Sequence, residues 1–352
     1  MAMIDNLEIK QIKYLTEKEL HKVDKFILKT STTGEFINTL NYLSYHPQER
    51  FRNDSVVVVD RGSGEIKGVM IAAKTAEGEI ISYPGTTFAG PIIDRTDSLE
   101  VAEKVMDLIL EYYESRYNKI VIKKVPDYYT KQPFQLIDYI LLRRGYFYGM
   151  SAMANVINIS KITSEDDIFA MFDSKRRNQV RKAVKGGRFA FITEDGIRDA
   201  VWENMNRTLM SKFDVKPTHT LQEIKKLEEF CPEHIKTYYV DTTEGEYGAF
   251  ALVFLFKNVF HTQYLDVNYR CTGQYPNLLL IFDLIKEARG KEYQYFSFGA
   301  STEEDGKILN RGLYHYKAGY GGGDILLPVY TKINTMQAAQ DRINIAGNKG
   351  VS

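Results

Sequence analysis

One order of elements occurs twice in this chain, and that repetition limits the folds open to it. In the first half, hydrophobic periodicity predicts amphipathic helices over Glu17–Lys29 and Glu35–Leu43, the second ending before a Tyr45-His46-Pro47 break. A buried-type strand, Val56–Asp60, follows, then the tight turn RGSGE and a hairpin partner, Ile66–Lys74. Next come a strand over Glu79–Tyr83, the glycine-rich loop YPGTTFAGP and a helix from about Ser98 to Tyr117. A strand at Lys119–Val125, a helix after Pro133 and a strand around Tyr146–Ile157 close the unit.

The second half runs the same way. Helices are expected at Glu165–Phe172 and Ser174–Lys185, with Ser164 and Asp173 as N-caps and Gly186-Gly187 as the stop. After a strand near Phe189–Thr193 and helices around Gly196–Ser211 and Leu221–Phe230, a hairpin of Lys236–Asp241 and Tyr247–Phe256 turns through TTEGE. Phe260–Val267, the loop YRCTGQYPN, a helix over Asn277–Arg289 and a strand over Tyr293–Ala300 complete the copy. Two α/β (α+β) units, each a mixed central sheet flanked by helices, are the economical expectation. The boundary is placed near Ile157–Thr163, giving units of 1–160 and 161–330 and a weakly ordered tail over 331–352.

A chain of 352 residues suits two cores better than one. Lys plus Arg equals Asp plus Glu at 46 each, so no global field draws the protein to a polyanion, and DNA is not expected as a partner. The only cysteines, Cys231 and Cys271, are far apart, and the six histidines lack ligand spacing, so no metal is expected. No apolar run is long enough to span a membrane and the N-terminus has no signal-like apolar segment, which leads to a cytoplasmic assignment.

Three stretches carry chemistry. Tyr293–Gly323 alternates aromatics, breaks at Gly299, and returns through Tyr314, Tyr316 and a single lysine, Lys317, into Gly319, Gly321, Gly322 and Gly323. A cation between aromatic rings beside glycines reads as the floor of a pocket, and the bland alternative is a lysine snorkelling past an apolar strand. Arg270, Gly273 and Gln274 lie between a strand and a helix starting near Asn277, where backbone amides at a helix N-terminus can receive a pyrophosphate. From Ser174 to Thr193 there are seven basic residues and no acidic one, and helical spacing places Arg177, Arg181 and Lys185 on one face. Such a run is ordinarily a solvated face; the missing carboxylates favour an anionic ligand.

The segments RRNQVRKAVKGG and FGAS…LYHYKAGYGGG resemble the Fem-type peptidoglycan bridge aminoacyltransferases, whose two halves are each GNAT-like, over roughly Ser164–Gly323. Through NYLSYHPQERF, YPGTTFAGP and KVPDYYTKQPFQLIDYILLRRG, the first half is similar to tandem-GNAT acyltransferases of surface-polysaccharide pathways. The resemblance implies that Lys317 lines an acyl-transfer pocket and that Arg177 and Arg181 lie near an acceptor's phosphates. Lys185, Tyr316, and Tyr83 and Phe88 of the first-half loop are taken with them as acceptor contacts. Arg270, Gly273, Gln274 and Asn277 would hold acetyl-CoA as co-substrate, since RxxG partly matches the GNAT pyrophosphate loop. The sequence departs from the family pattern at Tyr275, where a second small residue is expected, and at Tyr83 and Ala89, in place of histidine and glycine. No helical-hairpin arm is inserted after Trp202.

In GNAT chemistry an amine attacks a thioester carbonyl, so a base and an oxyanion partner are needed. Asp266 is the expected base and Tyr264 a candidate acid for the leaving thiolate, while His261 is weighted toward a structural role. Three functions are compatible. The first is N-acyl transfer, most simply acetyl, to a nucleotide-linked amino sugar. The second is a Fem-like ligase using aminoacyl-tRNA and a peptidoglycan precursor, and the third a protein that keeps the fold without transfer.

Overall fold

The computed structural model describes residues 5–334 apart from 48 and 96. The chain divides into two compact units, Met1–Met150 with Leu327–Ser352, and Ser151–Leu326. The stretch expected as one strand at Tyr146–Ile157 is two strands, Phe147–Tyr148 in the first unit and Met153–Asn158 in the second. Of the expected tail, residues 335–352 lie outside the described residues. Val329–Ile333 pairs antiparallel with both Lys119–Lys123 and Phe147–Tyr148, so the chain returns to the first unit at its end. Polar contacts that no periodicity reveals hold it there. Lys332 and Glu114, both buried, pair at 2.9 Å, and Tyr330 donates to Asp138 at 2.7 Å.

The first unit has a four-stranded and a six-stranded sheet among its described residues. The RGSGE hairpin forms as expected, with Val56–Asp60 antiparallel to Ile66–Met70. Helix Leu99–Glu114, capped by Ser98, lays Val105, Met106, Ile109 and Leu110 into the core. Gly68 lies where that helix comes close: a Cβ there would be 2.3 Å from Val105 Cγ1. Strand Ile80–Ile81 stops short of the expected span because Tyr83 takes a φ of +36°.

The second unit is built on one seven-stranded sheet. Its order is Phe189–Glu194, Ile235–Thr242, Tyr247–Leu255, Val259–Val267, Tyr295–Ala300, Met153–Asn158 and Gly323–Leu326. Every neighbouring pair is antiparallel except Val259–Val267 with Tyr295–Ala300. A parallel pair needs a crossover, and helix Pro276–Gly290 supplies it. Pro276 at its first turn presets the backbone, and Leu278, Leu280, Ile281, Leu284 and Ile285 are buried along it, so it packs into the core. Ser164 and Asp173 cap their helices, and Gly187 ends the basic helix Ser174–Gly186 at a φ of +58°, all as the sequence predicts. No helix of the described residues is long and apolar enough to cross a membrane.

Candidate active site

The parallel ladder between Val259–Val267 and Tyr295–Ala300 is short. It pairs Val259 with Tyr295, Phe260 with Phe296 and His261 with Ser297, and then ends, although both strands continue. A pocket of about 550 Å³ opens beyond that point. Thr262, Tyr264 and Asp266 line it from one strand, Phe298 from the other, Asn277 and Leu280 from the crossover helix. Two devices shape the strand edges. Gln263 is the extra residue where the register against Tyr247–Leu255 slips between Leu252 and Val253. Gly299, at a φ of +69°, takes the slip between Tyr295–Ala300 and Met153–Asn158.

Lys317 reaches this pocket from helix Arg311–Ala318, not from a strand as the alternating pattern suggests. Asn310 caps the helix by accepting from Leu313 N at 3.0 Å. Lys317 is 6% exposed, and its ammonium donates to Gly299 O at 3.2 Å and to Ala300 O. Burial lowers its pKa from the usual 10.5 to about 8. His261 accompanies it: burial first, and the Lys317 charge second, hold the imidazole down to about 4. Nδ1 of His261 lies 3.1 Å from Ser297 Oγ, and the buried imidazole is neutral at pH 7.

Asp266 lines the same pocket, and burial pushes its carboxyl up to about 6. Tyr247 Oη lies 3.5 Å from Asp266 Oδ2 and accepts from Asn204 Nδ2. Tyr264 has a different engagement. Its hydroxyl accepts from His219 N at 3.2 Å, lies 2.8 Å from His219 Nδ1, and is pushed up to about 12 by burial, so it remains a phenol. Tyr316 lines the pocket with its hydroxyl accepting from Tyr320 at 3.1 Å.

The other expected residues are elsewhere. Arg270, Gly273 and Gln274 are exposed in the turn Tyr269–Gln274, which joins the pocket strand to the crossover helix; the turn lends Tyr269 to the pocket lining, but none of these three. Tyr275 adopts a φ of +62°, the left-handed conformation that glycine takes at no cost. On the basic helix, Arg177 donates back to Phe172 O at 3.0 Å, Arg181 stands over the Phe169 ring, and Lys185 is exposed. Tyr83 and Phe88 are buried in the first unit. Tyr83 packs edge-on against Phe51 at 5.1 Å, and Phe88 against Tyr129 at 4.6 Å. One wall was not foreseen: Met205, Thr208 and Leu209 of helix Asp199–Phe213. Their spacing of three and four residues was the available signal.

Residues 172–318 match the family model described as the acetyltransferase (GNAT) domain. The second unit carries a GNAT-type acyltransferase domain. Solved structures extend the likeness across both units as fold. The structure of FemX is 13% identical, covers 95% of this chain and 99% of its own, with a TM-score of 0.65. A tandem GNAT protein from the clavulanic acid biosynthesis pathway is 9% identical, with 94% and 99% covered and a TM-score of 0.51. The C-terminal domain of a putative lysylphosphatidylglycerol synthetase from Agrobacterium fabrum is 12% identical, with 94% and 96% covered and a TM-score of 0.53. No curated protein sequence matches the chain significantly. The tandem GNAT-like, mixed α/β architecture expected from the repeat is thus the observed fold. No group of three or more His, Cys, Asp or Glu among the described residues could hold a metal ion.

Proposed function

We propose that the GNAT domain transfers an acyl group, most simply acetyl from acetyl-CoA, to the amine of a phosphate-bearing acceptor such as a nucleotide-linked amino sugar. The observation that carries this is the pocket where the parallel strands part, in which a buried lysine and a half-buried carboxyl line one mainly apolar space. Acyl transfer to an amine needs a proton acceptor for the attacking ammonium and a positive partner for the oxygen that gains charge. Asp266, with its carboxyl at about 6, is ionised at neutral pH and takes the proton. Lys317 is still cationic there and supplies positive charge where water is excluded. A thioester donor brings an activated carbonyl and a thiol leaving group. Tyr264, tied to His219, orients the wall and is not assigned the leaving-group proton.

The turn Tyr269–Gln274 suits the donor's phosphates. A Cβ at Gly273 meets nothing within 4 Å, Arg270 is exposed, and the crossover helix starts at Pro276. Calorimetric titration with acetyl-CoA is expected to show binding that weakens about fivefold to tenfold in Arg270→Ala, the order of one partly exposed phosphate contact. Equal binding by both proteins would remove the donor from this turn.

An aminoacyl group carried by tRNA is the second reading. It is favoured by Lys175, Arg181, Lys182, Lys185 and Arg188, all exposed in one stretch, and by the fold likeness to FemX. RNA that copurifies and leaves with salt would turn the account toward it.

A further inference from the structure

Helical spacing places Arg177, Arg181 and Lys185 of the basic run on one face, and Arg176, the second member of the run, is not among them. Arg176 sends its guanidinium into the last turn of the helix that bears Lys317. Nη2 donates to Tyr316 O at 2.7 Å and to His315 O at 3.1 Å, and Nη1 pairs with Asp173. The guanidinium lies over the Tyr320 ring at 4.9 Å and the Tyr316 ring at 5.6 Å, and the side chain is 15% exposed. Gly319 provides the space. Its φ of −67° is ordinary for any residue, but a Cβ there would sit 1.8 Å from Arg176 Nη1 and 2.5 Å from Asp173 Oδ2. Asp173 closes the joint, because its backbone N donates to Gly319 O at 2.9 Å while its carboxylate caps Arg176 N at 2.7 Å.

We propose that Arg176 is the positioning residue for Lys317, a two-pronged cation that closes the end of the lysine helix and fixes where the ammonium enters the pocket. This rests on the pocket's assignment to acyl transfer. Helix Arg311–Ala318 has eight residues, too few to hold its own ends in place, and its terminal carbonyls carry partial negative charge. Nη2 of the planar guanidinium satisfies two of them while Nη1 holds Asp173, a span over two nitrogens that the single nitrogen of an ammonium cannot reproduce in the same geometry. His315, Tyr316 and Gly319 surround Lys317 in sequence, so the clamp acts on the turn from which the lysine side chain leaves. From the opposite side, Gly299 O and Ala300 O receive the ammonium and His261 faces it. Lys317 is therefore held at both ends, by carbonyls at its nitrogen and by Arg176 at its backbone.

The test is pulse labelling of lysines with acetic anhydride across a pH series, with Lys317 read by peptide mass spectrometry. In the unaltered protein Lys317 should titrate near 8. Arg176→Gln and Gly319→Ala should each loosen the turn, admit water to the ammonium and move that midpoint upward by about one pH unit or more. Arg176→Lys, which keeps the charge but not the two-pronged contact, should move it less than Arg176→Gln. If Arg176→Gln does not fold, Gly319→Ala decides, since it retains the arginine and only displaces it. Folded variants whose Lys317 midpoint stays within about 0.2 pH units of the parent would overturn the proposal. Lys317→Met tests the pocket assignment separately: retained transfer in that variant would remove the pocket's function and leave the labelling result intact.

Discussion

Lys317→Met is expected to lower acyl transfer about 10²-fold to 10³-fold while leaving the thermal midpoint almost unchanged. The rate loss follows from removing a preorganised cation from a water-excluded site, where such groups contribute about 3–4 kcal/mol to the barrier. The small stability change follows from two opposing terms. Burying the ammonium moves its pKa from 10.5 to about 8, which corresponds to about 3 kcal/mol of destabilisation at neutral pH that methionine relieves. Against that, Gly299 O and Ala300 O lose their donor, at about 1–3 kcal/mol for each buried acceptor left unpaired. The sign over pH is fixed by the direction of the shift. Below about 8 the lysine is charged folded and unfolded, and its cost is fully present. As pH rises from about 8 to 10.5 the folded form is neutral while the unfolded form still binds a proton, so stability rises through that window. A variant that loses activity and unfolds by several kcal/mol would point to a purely structural lysine.

The second large effect is in the pH profile. Transfer needs Asp266 ionised and Lys317 protonated, so kcat/KM should rise with a midpoint near 6 and fall with a midpoint near 8. Asp266→Asn should abolish the rising limb and lower the rate about 10²-fold to 10⁴-fold. The same substitution should stabilise the fold at pH 7 by about 2 kcal/mol, discounted for partial exposure. The sign is opposite to that of a salt-bridged carboxylate. The folded protein holds the Asp266 proton to higher pH than the unfolded chain, so this group's contribution declines as pH rises from about 4 to 6. A flat profile from pH 5 to 9, measured with a donor whose own ionisation is silent there, would contradict both assignments.

Much of the architecture was legible because the hairpin turns RGSGE and TTEGE mark equivalent places in two copies. The caps Ser164, Asp173 and Gly187 were legible for a similar reason, since capping is local chemistry. Long-range pairing was not. Val329–Ile333 belongs to the first unit through Lys332, Tyr330 and Thr331, contacts 180 or more residues away for the first two that leave no periodic trace. The site divides along the same line. Lys317 and Asp266 were found by residue type and by their place beside a strand end or a glycine cluster, and the structure puts them in one pocket. The helix that carries Lys317 was missed because YHYK between glycines alternates like a strand, while its two-turn length depends on the Asn310 cap and the Arg176 clamp. The inward turn of Arg176 was hidden for a related reason. Charge counts do not show which guanidinium turns inward, and Gly319, the residue that makes room for Arg176, is more than a hundred positions away.

The most direct test of the central claim uses acetyl-CoA analogues with a photoreactive diazirine in the acyl chain, with crosslinks mapped by mass spectrometry. The account predicts adducts confined to Thr262–Val267, Phe298, Tyr316 and Lys317, competed away by acetyl-CoA and reduced by Arg270→Ala. Competed adducts that fall instead on the first unit or on the basic helix Ser174–Gly186 would contradict it.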